Sequence, residues 1–327
     1  MRQALRIVVV LTLLGLVGAG AVVGFGLYNV SARVGHWPGV SWVLHTTFRN
    51  SARLRAPDME NAPALDDPDL IALGAAHYAT ACAGCHAAPG DSRSATVRAM
   101  VPQPPAITEA VADWEPNELH WIIENGIKMS GMPAWPAEGR GDEVWSVVAY
   151  LVSIQQDRAP DLPSSDLAGV DYCRSCHGDI GGPVPRLDIL SPSYVEAQLE
   201  AYLNARRPSG IMAQAASLVP QDQYATLARR LTEREMPGPT VVPEQGAGAE
   251  LARQGTRDIP ACLACHGVGD NRKGPRLFGQ EPMYLAAQLR LWRDGTYTHD
   301  RLMRAAAADL TDADIDLLSD YFAAVGN

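Results

Sequence analysis

The first 56 residues contain no aspartate, no glutamate and no lysine; their only charged side chains are Arg2, Arg6, Arg33, Arg49, Arg53 and Arg55. The rest of the 327-residue chain therefore carries 21 basic and 37 acidic residues, a net of −16 within the whole-chain value of −10. An acidic body on a basic stem lacks the positive face that nucleic acid requires. That excludes a nucleic-acid partner and points to positively charged proteins. Inside the stem, the 22 residues from Ile7 to Tyr28 carry no charge at all. At ~1.5 Å per residue, a helix of that length crosses the hydrocarbon core of a bilayer. Ala19, Gly20 and Ala21 offer the small residues of a signal-cleavage site, yet the apolar run continues past them. The reading is an uncleaved anchor over residues 1–30. Arginines flank both ends of the run, so charge leaves its orientation open. Residues 31–67 follow as a juxtamembrane segment. Trp37 and Trp42 suit an interfacial aromatic belt, and an extended stalk packed on the next domain is the competing arrangement.

Beyond the stem, familiar catalytic signatures are missing: there is no nucleophile elbow, no phosphate loop and no paired-carboxylate pattern. Unpaired cysteines are missing too. The six fall as CAGCH (82–86), CRSCH (173–177) and CLACH (262–266), each with a histidine directly after the second cysteine. Two cysteines three apart lie on one helical face, where both thiols can add to the two vinyl groups of a heme. The adjacent histidine, His86, His177 or His266, then gives an imidazole nitrogen to the iron. Structural zinc joins knuckles in pairs, and three knuckles leave one unmatched. A thioredoxin-like pair belongs in a βαβ setting, and no strand-rich stretch borders any copy. A disulfide scaffold belongs to short chains with little core. The pattern therefore predicts three covalent hemes c, bound through Cys82 and Cys85, Cys173 and Cys176, and Cys262 and Cys265.

Each motif sits in a traceable helical unit. Residues 68–86 read as a helix in which Leu70, Leu73, Ala76 and Tyr78 feed a core. Pro116 and Gly126 punctuate a helix over 115–127, and Val144, Val147, Val148 and Leu151 recur at helical spacing over 141–156. Stretches rich in Pro, Gly and Ser, 158–169 and 236–248, separate the units. The second and third units resemble each other. PRL recurs at 185–187 and 275–277, and YVEAQL (194–199) answers YLAAQL (284–289). Met212 or Met303 follows, then an alanine-rich turn and a last helix. A repeat of roughly 90 residues means tandem domains, not a solenoid. Only SSDLAGVDY precedes Cys173, too little for a full leading helix, so the second heme is either more exposed or covered by a neighbouring domain.

On these residues the chain resembles the class I c-type cytochromes. Residues 68–157 look like a single-heme domain of that class, and residues 168–327 are similar to its two-domain, diheme members. The resemblance implies a mostly α fold: three tandem class I domains (68–157, 168–235 and 247–327) behind one transmembrane helix. It implies electron transfer without catalysis, in a respiratory chain towards a terminal oxidase. The partner would be that oxidase, a soluble cytochrome c or a periplasmic dehydrogenase. Anchored three-heme chains also resemble the cytochrome subunits of periplasmic alcohol and aldehyde dehydrogenases, which is the alternative role. The resemblance places heme attachment on the outer face of the bacterial inner membrane, with the domains periplasmic and the amino terminus cytoplasmic. It further implies a methionine thioether on the second face of each iron. For the first heme the ligand is Met132, because GMPAW (131–135) matches the family's ligand loop, whereas Met129 ends a helix and reads as filler. Met212 and Met303, at corresponding places in the repeat, serve the others; Met236 lies in the linker and Met283 reads as packing. His36, His45, His77, His120 and His299 read as surface or boundary residues, with His299 the best alternative ligand.

Overall fold

A computed structural model describes residues 1–128, 130–164, 169–178, 180–233, 245–267 and 273–324. Met129 and Met236, the methionines weighed against Met132 and Met212, lie outside the described residues, as do parts of both linkers. Among the described residues every regular element is helical.

Helix α1 (Arg2–Gly24) is long and apolar enough to cross a membrane, and none of its residues is buried. It stops short of Tyr28, at Phe25 and at Gly26 with its φ of +63°. Helix α2 (Pro38–Arg55) runs towards the first unit and docks there with its second half. Phe48 meets Trp114 edge-on at 5.3 Å, Arg49 lies 5.9 Å over the same ring, and Asn117 donates to the Pro57 carbonyl at 3.0 Å. Trp37, Trp42 and Val43 near its start stay exposed. The stem is thus a helix and not an extended stalk, packed on the first unit by its second half and exposed near its start.

The first unit comprises α3 (Pro68–Ala81), α4 (Ala83–His86), α5 (Ala95–Arg98), α6 (Ile107–Val111), α7 (Pro116–Asn125) and α8 (Gly141–Gln155). Asp67 caps α3 by accepting from the Asp69 and Leu70 amides, with Pro68 at the first helical position. Glu115 and Glu118 close a capping box on α7, which ends at Gly126 with φ +64°. Val144, Val147, Val148 and Leu151 are buried as their spacing predicts. On α3 the periodicity is partly right: Leu73 and Tyr78 are buried, but Ala75 takes the place expected of Ala76. The expected single helix over 68–86 breaks at Cys82, so the cysteine pair sits on its own turn.

The second unit is α9 (Gly169–His177), α10 (Pro192–Leu203), α11 (Gly210–Ser217) and α12 (Tyr224–Thr232). The third is α13 (Ala247–Gln254), α14 (Leu263–His266), α15 (Pro282–Arg293), α16 (Arg301–Ala307) and α17 (Asp312–Ala323). Each unit has its own cluster of buried apolar side chains. In the first and third, the leading helix crosses the last helix at a glycine. A Cβ on Gly74 would lie 1.9 Å from the Ser146 carbonyl oxygen, and one on Gly248 2.5 Å from that of Leu317. Only glycine allows the backbones to approach so closely. Among the described residues the second unit shows no such crossing, and its leading helix there is the nine residues of α9. Helix α3 of the first unit lies against α9 and α11 instead, with Gln214 donating to the Thr80 carbonyl at 3.3 Å. The neighbouring unit supplies the cover that the short leading segment lacks.

Candidate heme sites

One hydrogen bond recurs in all three units. Nδ1 of His86 lies 2.9 Å from the Pro105 carbonyl oxygen, Nδ1 of His177 2.8 Å from that of Pro185, and Nδ1 of His266 2.9 Å from that of Pro275. A carbonyl can only accept, so Nδ1 carries the proton and the Nε2 lone pair is left for a metal. Burial lowers the pKa of each ring, which favours this neutral form; the proline carbonyl partly opposes the shift. The PRL recurrence is thereby explained, since its proline supplies the acceptor. Behind His266, Gly274 leaves no room for a side chain: a Cβ there would sit 2.5 Å from the ring's Cε1.

The first thiol of each pair is shifted away from the reactive thiolate form. Burial pushes Cys82 up to about 12 and Cys173 to about 11, and raises Cys262 as well. Reactive dithiols require the opposite shift. Among the described residues no three His, Cys, Asp or Glu side chains converge as a metal-binding cluster.

Cys173 and Met212 are half-buried against the second cluster, and Cys262 and Met303 against the third. Cys82 borders the first cluster, whereas Met132 lies outside it on the loop after Gly126. Each methionine's amide is held: Met132 by Ser130 Oγ at 3.1 Å, Met212 by Ser209 Oγ at 3.1 Å, and Met303 by the Asp300 carboxylate at 3.0 Å. The remaining histidines sort differently from expectation. His77 and His120 are buried core residues, not surface ones. His77 packs on Trp135 at 4.8 Å, while His120 packs on Trp145 at 4.3 Å and pairs through Nε2 with the Gly141 carbonyl at 2.8 Å. Apolar periodicity cannot reveal a histidine buried by an aromatic partner distant in the chain. His299 lies among Trp292 and Tyr297. Met283, expected to pack, is half exposed.

Two arginines join the units. Arg140 binds Asp142 and Glu143 in the first, the Pro208 carbonyl of the second at 2.6 Å and the Tyr297 hydroxyl of the third at 3.2 Å. Arg207 donates to Gln198 and Tyr194 of one repeat and to Gln288 and Tyr284 of the other. The YxxxQ repetition therefore builds an interface, a role that no spacing along the chain discloses. The Arg207 guanidinium is buried, its four side-chain acceptors are all neutral, and its Nε has no hydrogen-bond partner. A buried cation in such surroundings calls for an anion. Heme propionates would provide one, so the residues present fit the cofactor at both its imidazole and its carboxylate ends. When bound, the heme supplies an iron that cycles between ferric and ferrous.

The chain is similar to known cytochromes c. A family model described as cytochrome C oxidase, cbb3-type, subunit III matches residues 69–151 and 244–322. The chain is 32% identical over 214 residues, 59% of its length, to the thiosulfate dehydrogenase electron acceptor of Stutzerimonas stutzeri, and covers 95% of that protein. It is 31% identical over 166 residues to cytochrome c4 of Pseudomonas aeruginosa, spanning 46% of this chain and 81% of that one. The solved cytochrome c4 of Acidithiobacillus ferrooxidans aligns over 46% of this chain and 97% of its own, at 31% identity and a TM-score of 0.40. The chain belongs to the cytochrome c family, with domains of class I type. It is an electron-transfer cytochrome c, homologous to cytochrome c4 and to the thiosulfate dehydrogenase electron acceptor.

Proposed function

We propose that this chain is a membrane-tethered periplasmic carrier that relays electrons through three covalently bound hemes c towards a terminal oxidase. The domains are 68–157, 168–235 and 247–327, and the axial pairs are His86 with Met132, His177 with Met212, and His266 with Met303. The observation that carries this reading is the CxxCH turn whose histidine bonds a proline carbonyl, present in all three units. A soft, neutral thioether opposite the imidazole favours ferrous iron and raises the potential. Helix α1 is the tether, and the exposed Trp37 and Trp42 sit at the lipid boundary. A pyridine hemochrome assay on the purified chain should find three hemes per polypeptide, recovered with the membrane fraction. Two hemes per chain, or a soluble product lacking its amino terminus, would refute this arrangement.

The name of the Stutzerimonas relative favours a second reading, in which the electrons come from a periplasmic dehydrogenase whose catalytic subunit docks on this chain. Charge bears on either partner. The body's net −16 is increased by the propionates, and redox encounters bury little surface, so their speed depends on steering. Reduction by a basic cytochrome in stopped flow should slow steeply between about 10 and 300 mM salt, since screening shortens the attraction to about 8 Å at physiological ionic strength. A flat profile with the basic donor would show that charge does not steer, leaving a permanently bound partner as the better account.

A further inference from the structure

The helices that present Met212 and Met303 begin in corresponding ways, with one difference. In the third unit the residue three positions before the methionine is Asp300, whose carboxylate accepts from the Leu302 and Met303 amides at 2.8 and 3.0 Å. In the second unit that residue is Ser209, which carries no charge. The carboxylate arrives from another unit. Glu143, in the first turn of α8, accepts from Ser209 Oγ at 2.5 Å, from the Gly210 amide at 2.6 Å and from the Ile211 amide at 3.3 Å.

Ser209 Oγ in turn accepts from the Met212 amide at 3.1 Å. A continuous run of hydrogen bonds therefore joins a carboxylate of the first unit to the backbone of the methionine in the second. Arg140 holds the same carboxylate at 2.7 Å, and Trp135 Nε1 donates to it at 3.3 Å. Every partner named is a donor, so the arrangement suits the ionised group. Burial raises the pKa of Glu143, while Arg140, Ser209 and Gly210 oppose the rise. The joint is also tight: a Cβ on Gly210 would lie 2.2 Å from the Trp135 indole nitrogen. Trp135 belongs to the loop that carries Met132, so this one carboxylate touches the methionine-bearing segments of two units.

We propose that Glu143 is a positioning residue for the second heme: from the first unit it supplies the anion that caps the Met212 helix, as Asp300 does within the third. The proposal rests on the reading of Met212 as an axial ligand. An anion at that helix start favours ferric iron and holds the thioether in place. Docking of the first unit thereby sets the second heme's potential, which a free-standing second unit would not share.

Redox titration of the full-length, heme-loaded protein tests this, with the three steps assigned through Met132→Ala, Met212→Ala and Met303→Ala. Glu143→Gln should move the second heme's step upward while the other two remain in place. Loss of about a third of the sulfur-to-iron absorption, one heme of three, with a fall in that same step would support the proposal equally, since the thioether has then left the iron. Ser209→Ala, which breaks the relay but keeps the Arg140–Glu143 ion pair, should shift the same step by a smaller amount and guards against a misfolded Glu143 variant. Asp300→Asn should do to the third heme what Glu143→Gln does to the second. The proposal is overturned if both Glu143→Gln and Ser209→Ala leave the second step in place, or if all three steps move together. Should Met212→Ala alter neither the absorption nor any step, the ligand reading fails; should it remove a third while the other two variants do nothing, only the positioning role fails.

Discussion

Gly74→Val should unfold the first helical unit. Helix α3 crosses α8 so closely that a Cβ at position 74 would lie 1.9 Å from the Ser146 carbonyl oxygen and 3.0 Å from the Tyr150 Cβ. Neither neighbour is the far end of a flexible side chain, so the helices themselves must separate. Overpacking of this kind costs about 3 kcal/mol or more, a large share of the stability of an ordinary domain. The lost contacts include Ala75 and Tyr78 against the buried face of α8. Because α3 also covers α9 and α11, the second unit should weaken as well. Thermal unfolding followed by circular dichroism checks this, with Gly248→Val as the third unit's counterpart. Gly39, where an added Cβ meets nothing within 4 Å, is the control. Gly39→Ala should leave the midpoint unchanged or raise it slightly, by the helix-propensity gain of up to about 1 kcal/mol. A Gly74→Val protein that melts with the parent would show that the crossing is looser than its geometry indicates.

Met132→Ala should remove about a third of the sulfur-to-iron absorption of the oxidised protein and open the first heme to carbon monoxide. Hydrogen bonds hold the loop on both sides of this residue. Met132 has its amide bonded to Ser130 Oγ and its carbonyl to the Ile127 amide at 3.2 Å, and Trp135 anchors the far side through the Glu124 carbonyl at 2.9 Å. Gly126, at φ +64°, has no room for a Cβ because the Pro133 carbonyl carbon would lie 2.5 Å away. A side chain there would push the loop off its path. Removing the thioether leaves a small pocket and changes the ligand field without disturbing this frame. The protein should therefore keep its helical content while one heme gains an exogenous ligand. Met129→Ala should leave both signals at parental values. If instead Met129→Ala opens the heme and Met132→Ala does not, the ligand is Met129.

The amino-acid sequence by itself determined the local chemistry. Two thiols and an imidazole within one helical turn are a property of five residues, so the prediction of heme at CAGCH, CRSCH and CLACH needs nothing beyond the motifs themselves. Helix boundaries marked by Pro116 and Gly126 were legible for the same reason, since such residues act within their own turn. The buried face of α8 followed from its spacing, and the apolar run of α1 from length and composition. Tertiary structure alone decided how these pieces meet. The acceptor for His86 is Pro105, 19 residues away, and no periodicity links the two. His77 and His120 are buried because Trp135 and Trp145 close over them, which a residue-by-residue hydropathy reading cannot anticipate. The YxxxQ repeats were visible as a recurrence, but their convergence on Arg207 depends on two units facing each other. No motif or spacing singled out Glu143. Its carboxylate finds Ser209 only when two separately built helices are brought together, and contacts at such separations are fixed by packing, not by neighbours in the chain.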